Sequence, residues 1–244
     1  MNFRMQSCVS VLVCAVIFIA SRAAAEEGPQ ELLVESNGRA VAVTRFEAPG
    51  DGLRPAVLVL HGTSGIESNV QGYAHYALAL ANNGIDAYLV RYFGPRSNAR
   101  CFDCWDAWAE TILETTKAIR QRPEASGHIG LLGFSLGGAV AVRSARDPGI
   151  DAVVVFYGFV PPSERLRART EHLPPFLVLH RDADDKVPVR DSQELVEFVR
   201  QVGGSAELVV YPGAEHRVST WDQAAANDAL NRTVTFFRSK LISP

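Results

Sequence analysis

Residues 128–145 read His128-Ile129-Gly130-Leu131-Leu132-Gly133-Phe134-Ser135-Leu136-Gly137-Gly138-Ala139-Val140-Ala141-Val142-Arg143-Ser144-Ala145. The first five are short, apolar and β-branched enough to predict a buried strand, and the last seven, rich in small residues, predict a helix. Between them lies Gly133-Phe134-Ser135-Leu136-Gly137, a G-x-S-x-G turn in strand–turn–helix context. Such a turn forces the serine into a strained backbone conformation with its hydroxyl exposed, and glycines flank it because side chains there would clash across the turn. The helix that follows aims its N-terminal amides at the serine, where a developing oxyanion would be stabilised. Serine is a weak nucleophile, so a base and an orienting acid must come from elsewhere in the chain.

Both types follow in order. The apolar segment Pro175-Phe176-Leu177-Val178-Leu179-His180 runs into Arg181-Asp182-Ala183-Asp184-Asp185-Lys186-Val187-Pro188, and Glu207-Leu208-Val209-Val210-Tyr211 runs into Pro212-Gly213-Ala214-Glu215-His216. Each polar cluster sits just past the C-terminal end of a predicted strand, the edge where open α/β sheets place their sites. The order serine, acid, histidine is that of the α/β-hydrolases.

Outward from these segments the pattern alternates. Glu31–Ser36 and Arg39–Glu47 read as two strands around Asn37-Gly38, a strong hairpin turn. Ala56–Leu60, Ile85–Arg91 and Asp151–Tyr157 read as further strands. Tyr73–Asn83, Asp103–Arg122, Val189–Val202 and Asp222–Lys240 read as helices, the first ended by Asn83-Gly84 and the second by Pro123. Apolar strands alternating with helices predict an α/β fold, a mostly parallel sheet covered on both faces, with an antiparallel hairpin at one edge.

The chain resembles the dienelactone hydrolase family of the α/β-hydrolase superfamily. The segments that carry the resemblance are Val57-Leu58-Val59-Leu60-His61-Gly62-Thr63-Ser64-Gly65, the turn at 133–137, Asp184-Asp185-Lys186-Val187-Pro188 and Gly213-Ala214-Glu215-His216. It implies the α/β-hydrolase fold, an eight-stranded sheet flanked by helices on both faces, and a Ser-Asp-His triad. Two departures stand out. The family's founding members carry cysteine at the turn where this chain has Ser135. They also place an arginine four residues beyond the histidine to hold a substrate carboxylate, and Thr220 stands there. The resemblance therefore implies the fold and the triad, and leaves the dienelactone substrate open.

Ser135 is the expected nucleophile and His216 the expected base, a neutral imidazole that takes the serine proton and returns it to the leaving group. His75 falls in a helix, His128 starts a strand, His172 lies in a Pro-rich loop, and His61 and His180 end strands. Of these, His61 is expected to shape the neighbouring loop through its backbone and ring packing. Three aspartates crowd one loop. The family-like spacing of acid, two residues, then Val-Pro selects Asp184, leaving Asp182 and Asp185 as solvated carboxylates or caps of the helix near Val189. Glu215 is read as surface. The oxyanion hole is expected from the backbone N–H groups of Leu136 and Thr63. Arg96 and Arg100 lie past the strand ending at Arg91 and are candidates to hold an anionic substrate group. Tyr157, Phe159 and Trp221 are candidate acyl-pocket residues, though each suits the core equally.

The ends add context. Met1–Ser7 is short and basic, Cys8–Ala20 is continuously apolar, and Ala23-Ala24-Ala25 offers small residues for cleavage before Glu26. That predicts a secretory signal peptide over 1–25, with an apolar core short for a membrane span, and a single domain over 26–244. Export implies a secreted or periplasmic protein without stable membrane insertion. The chain has 24 basic and 27 acidic residues and a net charge of −3, and losing Arg4 and Arg22 would make it more acidic by two. An acidic chain without basic runs argues against nucleic acid as a partner. Cys101 and Cys104 would remain, and a close pair in an exported protein predicts a local disulfide at a helix start. No thioredoxin-like context surrounds the pair, and no second Cys/His pair completes a zinc site.

The expected activity is that of a serine hydrolase cleaving carboxylic esters through an acyl-enzyme, acting on a small-molecule ester or lactone without cofactor or metal. A dienelactone-type lactonase or small peptidase using the same three residues, and a non-catalytic binding module on the same fold, are the alternatives. Acyl chain length, alcohol group and oligomeric state leave no mark in the sequence.

Overall fold

The computed structural model describes residues 28–94, 101, 104–162, 164 and 173–242. Eight strands form one sheet: β1 (Gln30–Ser36), β2 (Arg39–Phe46), β3 (Arg54–Leu60), β4 (Asp86–Val90), β5 (Ala125–Phe134), β6 (Ala152–Phe156), β7 (Phe176–Arg181) and β8 (Ala206–Tyr211), in the order β1-β2-β4-β3-β5-β6-β7-β8. The first two pair antiparallel, β2 meets β4 antiparallel, and every later pairing is parallel. Asn37 and Gly38 both take positive φ, 51° and 70°, the backbone twist that a two-residue hairpin needs.

Five principal helices cover the sheet: α1 (Val70–Ala81), α2 (Trp105–Arg120), α3 (Leu136–Ser144), α4 (Val189–Gln201) and α5 (Gln223–Leu241). Strand side chains alternate between two cores. Leu58, Leu60, Leu131, Val153, Val155 and Val178 pack towards α2, α3 and α4, while Val57, Val59, Leu132, Phe134, Phe156 and Leu179 pack towards α1 and α5. Because both faces are covered, β4, β6 and β7 are buried along their whole length. The expected elements are all present, with ends shifted by a few residues. The expected helix over 103–122 runs from Trp105 to Arg120, with Asp103 outside the described residues.

Sequential strands lie on opposite sides of β3, with β4 to one side and β5 to the other. The order therefore reverses at β3, and the C-terminal ends of the strands around such a switch point are where open α/β sheets place their sites. The residues following β3, β5, β7 and β8 are His61, Ser135, Asp182 and Pro212, so the four candidate loops share that edge.

At the opposite edge a buried ionic cluster closes the sheet. Asp86, the first residue of β4, accepts from Nε (3.2 Å) and Nη2 (2.7 Å) of Arg45, from Nε of Arg54 (3.0 Å) and from the Ala48 N–H (2.8 Å). Glu124 and Glu47 pair with the outer faces of the two guanidiniums, at 2.9 and 2.7 Å. Removing one member of a buried ion pair leaves its partners charged and desolvated. Asp86→Ala is accordingly expected to lower unfolding free energy by about 3 kcal/mol or more in urea titration. Turnover by the folded fraction should not change, because the cluster is a strand length from the catalytic edge. A loss below about 1 kcal/mol would show that the arginines find water instead.

Candidate active site

The turn at 133–137 is built by two close backbone approaches. A Cβ on Gly137 would lie 2.3 Å from the carbonyl oxygen of Leu60, and one on Gly133 would lie 2.3 Å from that of Gly137. Real Cβ atoms do not approach so closely, so both positions require glycine. With the first turn of α3 pressed on the end of β3, Ser135 takes φ 55° and ψ −117° and becomes the residue before the helix. Its N–H donates to Phe156 O (2.9 Å), and its own carbonyl accepts from the N–H of Gly138 and Ala139. The hydroxyl is left free to point off the sheet.

His216 meets it. Nε2 of His216 is 3.1 Å from Ser135 Oγ, and Nδ1 is 2.6 Å from Asp184 Oδ2. The other carboxylate oxygen accepts from the N–H groups of Lys186 (2.8 Å) and Val187 (2.9 Å). Burial pushes the Asp184 carboxyl up, but the Val187 N–H, His216 and the Lys186 N–H outweigh it and hold the group below its usual range. A carboxylate can only accept, so the proton of a neutral His216 sits on Nδ1 and the lone pair of Nε2 faces the serine hydroxyl. The structure thus brings together the three residues that sequence order and spacing selected. Asp182 and Asp185 do not join them. Asp182 accepts from the Gly213 N–H (2.9 Å) and Asp185 pairs with Lys186. Neither caps the following helix, since Pro188 precedes α4 and offers no side-chain acceptor.

A second imidazole stands behind Asp184. His180 is fully buried, with Nε2 2.9 Å from Val187 O and 3.4 Å from Asp184 Oδ2, and Nδ1 2.7 Å from Ser192 Oγ. The carbonyl requires a donor, so Nε2 carries the proton, and burial pushes the ring towards its neutral form. Tyr157, at φ 43°, lays its ring 4.3 Å from His216. Tyr157 and Trp221 are buried, so they belong to the core and not to an open acyl pocket, while Phe159 is partly exposed.

His61 is buried, stacked on Tyr92 at 4.2 Å, and donates from Nδ1 to Gly62 O (2.9 Å). Tyr92 in turn donates to His61 O (2.6 Å), and Tyr73 accepts from the Gly62 N–H (3.1 Å). These three rings fix the loop at 61–63, as the sequence led us to expect of His61. Thr63 is exposed at the loop tip and Leu136 opens α3, where the first N–H groups of a helix have no intrahelical acceptor. Sequence reasoning missed Tyr73 and Tyr92. Tyr92 lies two residues past β4 on the catalytic edge, a position that could have signalled it; Tyr73 reads as an ordinary apolar position of a helix. Cys101 and Cys104 are disulfide-bonded, with Cα atoms 5.4 Å apart, immediately before α2. Arg96 and Arg100 lie outside the described residues, as do His172 and residues 1–27.

With this geometry in hand, comparison with known proteins is informative. Residues 43–241 match the sequence profile of the dienelactone hydrolase family. The chain belongs to that family. It is therefore a hydrolase of ester or lactone bonds, and its substrate is a small molecule of that kind. A "Probable 2-oxo-3-(5-oxofuran-2-ylidene)propanoate lactonase" from Bradyrhizobium sp is 28% identical over 219 residues, covering 77% of this chain and 84% of the relative. A dienelactone hydrolase from Anabaena variabilis superposes with a TM-score of 0.70 at 20% identity, covering 87% of this chain and 99% of its own. A hyperthermophilic esterase from Pyrobaculum calidifontis gives the same score and identity, covering 87% of this chain and 86% of its own. These two share the fold.

Burial lowers the His61 pKa from 6.5 to about 4. Between those values the unfolded chain holds a proton that the native chain does not, so stability falls as pH drops from 6.5 towards 4. A shift of that size is worth roughly 3 kcal/mol by the time pH reaches the lower value. The slope of unfolding free energy between pH 7 and pH 4.5 should therefore be shallower in His61→Gln than in the parent chain, as read by urea titration. Equal slopes would show that the ring gains a proton without cost.

Proposed function

We propose that this hydrolase cleaves carboxylic esters by a serine mechanism with an acyl-enzyme, in which Ser135, His216 and Asp184 act as nucleophile, base and orienting acid. The observation that carries the reading is the hydrogen-bonded line from Asp184 through His216 to Ser135, at 2.6 and 3.1 Å, at the C-terminal edge of the sheet. Ser135 Oγ attacks the carbonyl carbon while its proton passes to Nε2. Asp184 stabilises the imidazolium so formed without taking its proton. The oxyanion is received by the N–H groups of Thr63 and Leu136, aimed by the tight turn and the braced 61–63 loop. Collapse of the tetrahedral intermediate breaks the bond to the alkoxide, which takes the proton from His216. Water, deprotonated by the same imidazole, then releases the acid and restores Ser135.

A lactone substrate uses the same steps with the leaving alcohol tethered. Two observations favour this second reading. The Bradyrhizobium relative is named for a propanoate lactone. Arg217, exposed beside His216, forms no ion pair among the described residues, although its charge reaches the phenols of Tyr73 and Tyr157. A carboxylate on the substrate would find that guanidinium at the mouth of the site.

The test is a panel of p-nitrophenyl esters, neutral lactones, carboxylate-bearing lactones and aminoacyl amides, run on the parent chain, Ser135→Ala and Asp184→Asn. A fluorophosphonate should label the parent chain on the peptide containing Ser135. Ser135→Ala is expected to lose on the order of 10⁴ in kcat, and Asp184→Asn roughly 10³ to 10⁴. Near-parental turnover by Ser135→Ala sinks the mechanism. Carboxylate-bearing lactones turning over best, with that preference lost in Arg217→Gln, selects the second reading over the first.

We further infer that residues 1–25 direct export and are removed, from the basic, apolar and small-residue succession at 1–25. N-terminal sequencing of protein recovered outside the cytoplasm should begin at Glu26. A chain that retains Met1 in that fraction overturns the inference.

A further inference from the structure

We propose that Arg181 is a positioning residue for the base: it clamps the loop that carries His216 and thereby sets the direction of the imidazole. The proposal rests on His216 acting as described above.

Arg181 is the last residue of β7 and is buried, its side chain 5% exposed. An arginine in so enclosed a place demands a reason, because a buried guanidinium is costly unless it is paired. Nη1 donates to Pro212 O and to Glu215 Oε2, both at 2.8 Å, and Nη2 donates to Asp222 Oδ2 at 2.7 Å, while Nε has no hydrogen-bond partner among the described residues. The guanidinium lies over the Trp221 ring at 5.0 Å, and the indole N–H of Trp221 donates to Glu215 O (2.8 Å). Asp222 uses its other oxygen to cap α5 through the Ala225 N–H. One planar group therefore touches positions 212, 215, 221 and 222, before and after His216 in the chain.

Apart from Ser135, His216 makes its polar contacts only with Asp184 among the described residues, and the Tyr157 ring lies against it, so its position depends also on the backbone that bears it. The other bonds from the end of β7 to this loop, Asp182 Oδ1 from Gly213 N and Ala183 N to Gly213 O, hold only its beginning. Arg181 extends that hold past the histidine. The loop is also shaped to admit it. Gly213 has φ 132°, and a Cβ there would sit 1.7 Å from Nη1 of Arg181, so the loop can carry no side chain at the point where the guanidinium enters. Lysine cannot substitute, since a point charge does not fix three acceptors in one plane.

The test compares the parent chain with Arg181→Met, with Glu215→Ala/Asp222→Asn, and with the combination of all three changes. Glu215 and Asp222 are half or more exposed, and asparagine preserves the helix cap, so the double variant removes the two carboxylates without emptying the space that the guanidinium fills. Urea titration of every variant establishes that it is folded before its kinetics are read. With p-nitrophenyl acetate, Arg181→Met is expected to lose 10- to 100-fold in kcat with KM within about twofold, since displacement of a reacting group by about an ångström costs that much while the ester site is untouched. The rate of fluorophosphonate labelling of Ser135 should fall by the same factor. The double variant should lose several-fold in kcat, again without change in KM, and the combined variant should be no worse than Arg181→Met. Loss of fold alone would also lower apparent kcat at unchanged KM, so kcat is referred to the sites titrated by the fluorophosphonate. The labelling rate constant, which an inactive fraction does not lower, separates a misdirected base from an unfolded chain. A folded Arg181→Met with kcat within twofold of the parent, fully multiplicative losses in the combined variant, or a double variant with parental kcat overturns the proposal. Ser135→Ala separates the two levels: if it stays active, the serine mechanism has failed, whereas inactive Ser135→Ala beside fully active Arg181→Met removes only the clamp.

Discussion

The contact on which the site depends is between two pieces of backbone. The first turn of α3 rests on the carbonyl oxygens of Leu60 and His61 so closely that a Cβ at Gly137 would lie within 2.6 Å of both. That approach brings the end of β3 and the start of α3 together at the switch point of the sheet. It also holds Ser135 at a positive φ that a non-glycine residue seldom takes. Strain of this kind persists only where the surroundings over-determine it. Here the Ser135 N–H is tied to β6 and the Ser135 carbonyl to the first turn of α3.

Charge is distributed to suit that geometry. The carboxylate of Asp86 and its arginines are buried at one edge of the sheet, where they hold strands together and touch nothing reactive. At the other edge the buried imidazoles of His61 and His180 are both pushed towards neutrality by burial, and each spends its proton on a carbonyl, Gly62 O and Val187 O. A cationic His180, 3.4 Å from Asp184 Oδ2, would compete with His216 for that carboxylate. Kept neutral, the two rings brace loops, and His216 is the imidazole in contact with Ser135.

The fold, and the residues that the structure gathers at the C-terminal edge of the sheet, could be read from the sequence because each obeys a local rule. Buried parallel strands must be continuously apolar, the Asn37-Gly38 turn must twist both residues to positive φ, and the turn around Ser135 must carry glycines on both sides. Asp184 could be told from Asp182 and Asp185 only through spacing typical of a family, since all three share one loop and one chemistry. What separates them is the pair of N–H groups from Lys186 and Val187, a property of the folded backbone. Tyr73, His180 and Arg181 left no such trace, and Tyr92 left only its place just past β4. Each acts across 10 or more positions, Tyr73 on Gly62, Tyr92 on His61, His180 on Ser192 and Arg181 on Asp222. Nothing in the residues next to them reports a contact made at that range. The same holds for Tyr157 and Trp221, whose aromatic character suits a pocket wall or a core, and which burial around His216 assigns to the core.

The presence of serine where founding members of the family carry cysteine changes what the scaffold must deliver. A thiol titrates within a unit or two of neutral pH, and a nearby cation suffices to make it a thiolate before substrate arrives. A serine hydroxyl keeps its proton until attack, so the transfer to Nε2 occurs in the transition state and depends on the line from Oγ to the imidazole at that moment. A chain that relies on serine therefore gains more from a base held in one direction than a chain that relies on a preformed thiolate. The deep Asp184 pocket, the Tyr157 ring against His216 and the planar clamp of Arg181 all act on that single direction. None of them adds a group to the proposed reaction; on the serine mechanism proposed above, together they narrow the positions from which His216 would take the proton.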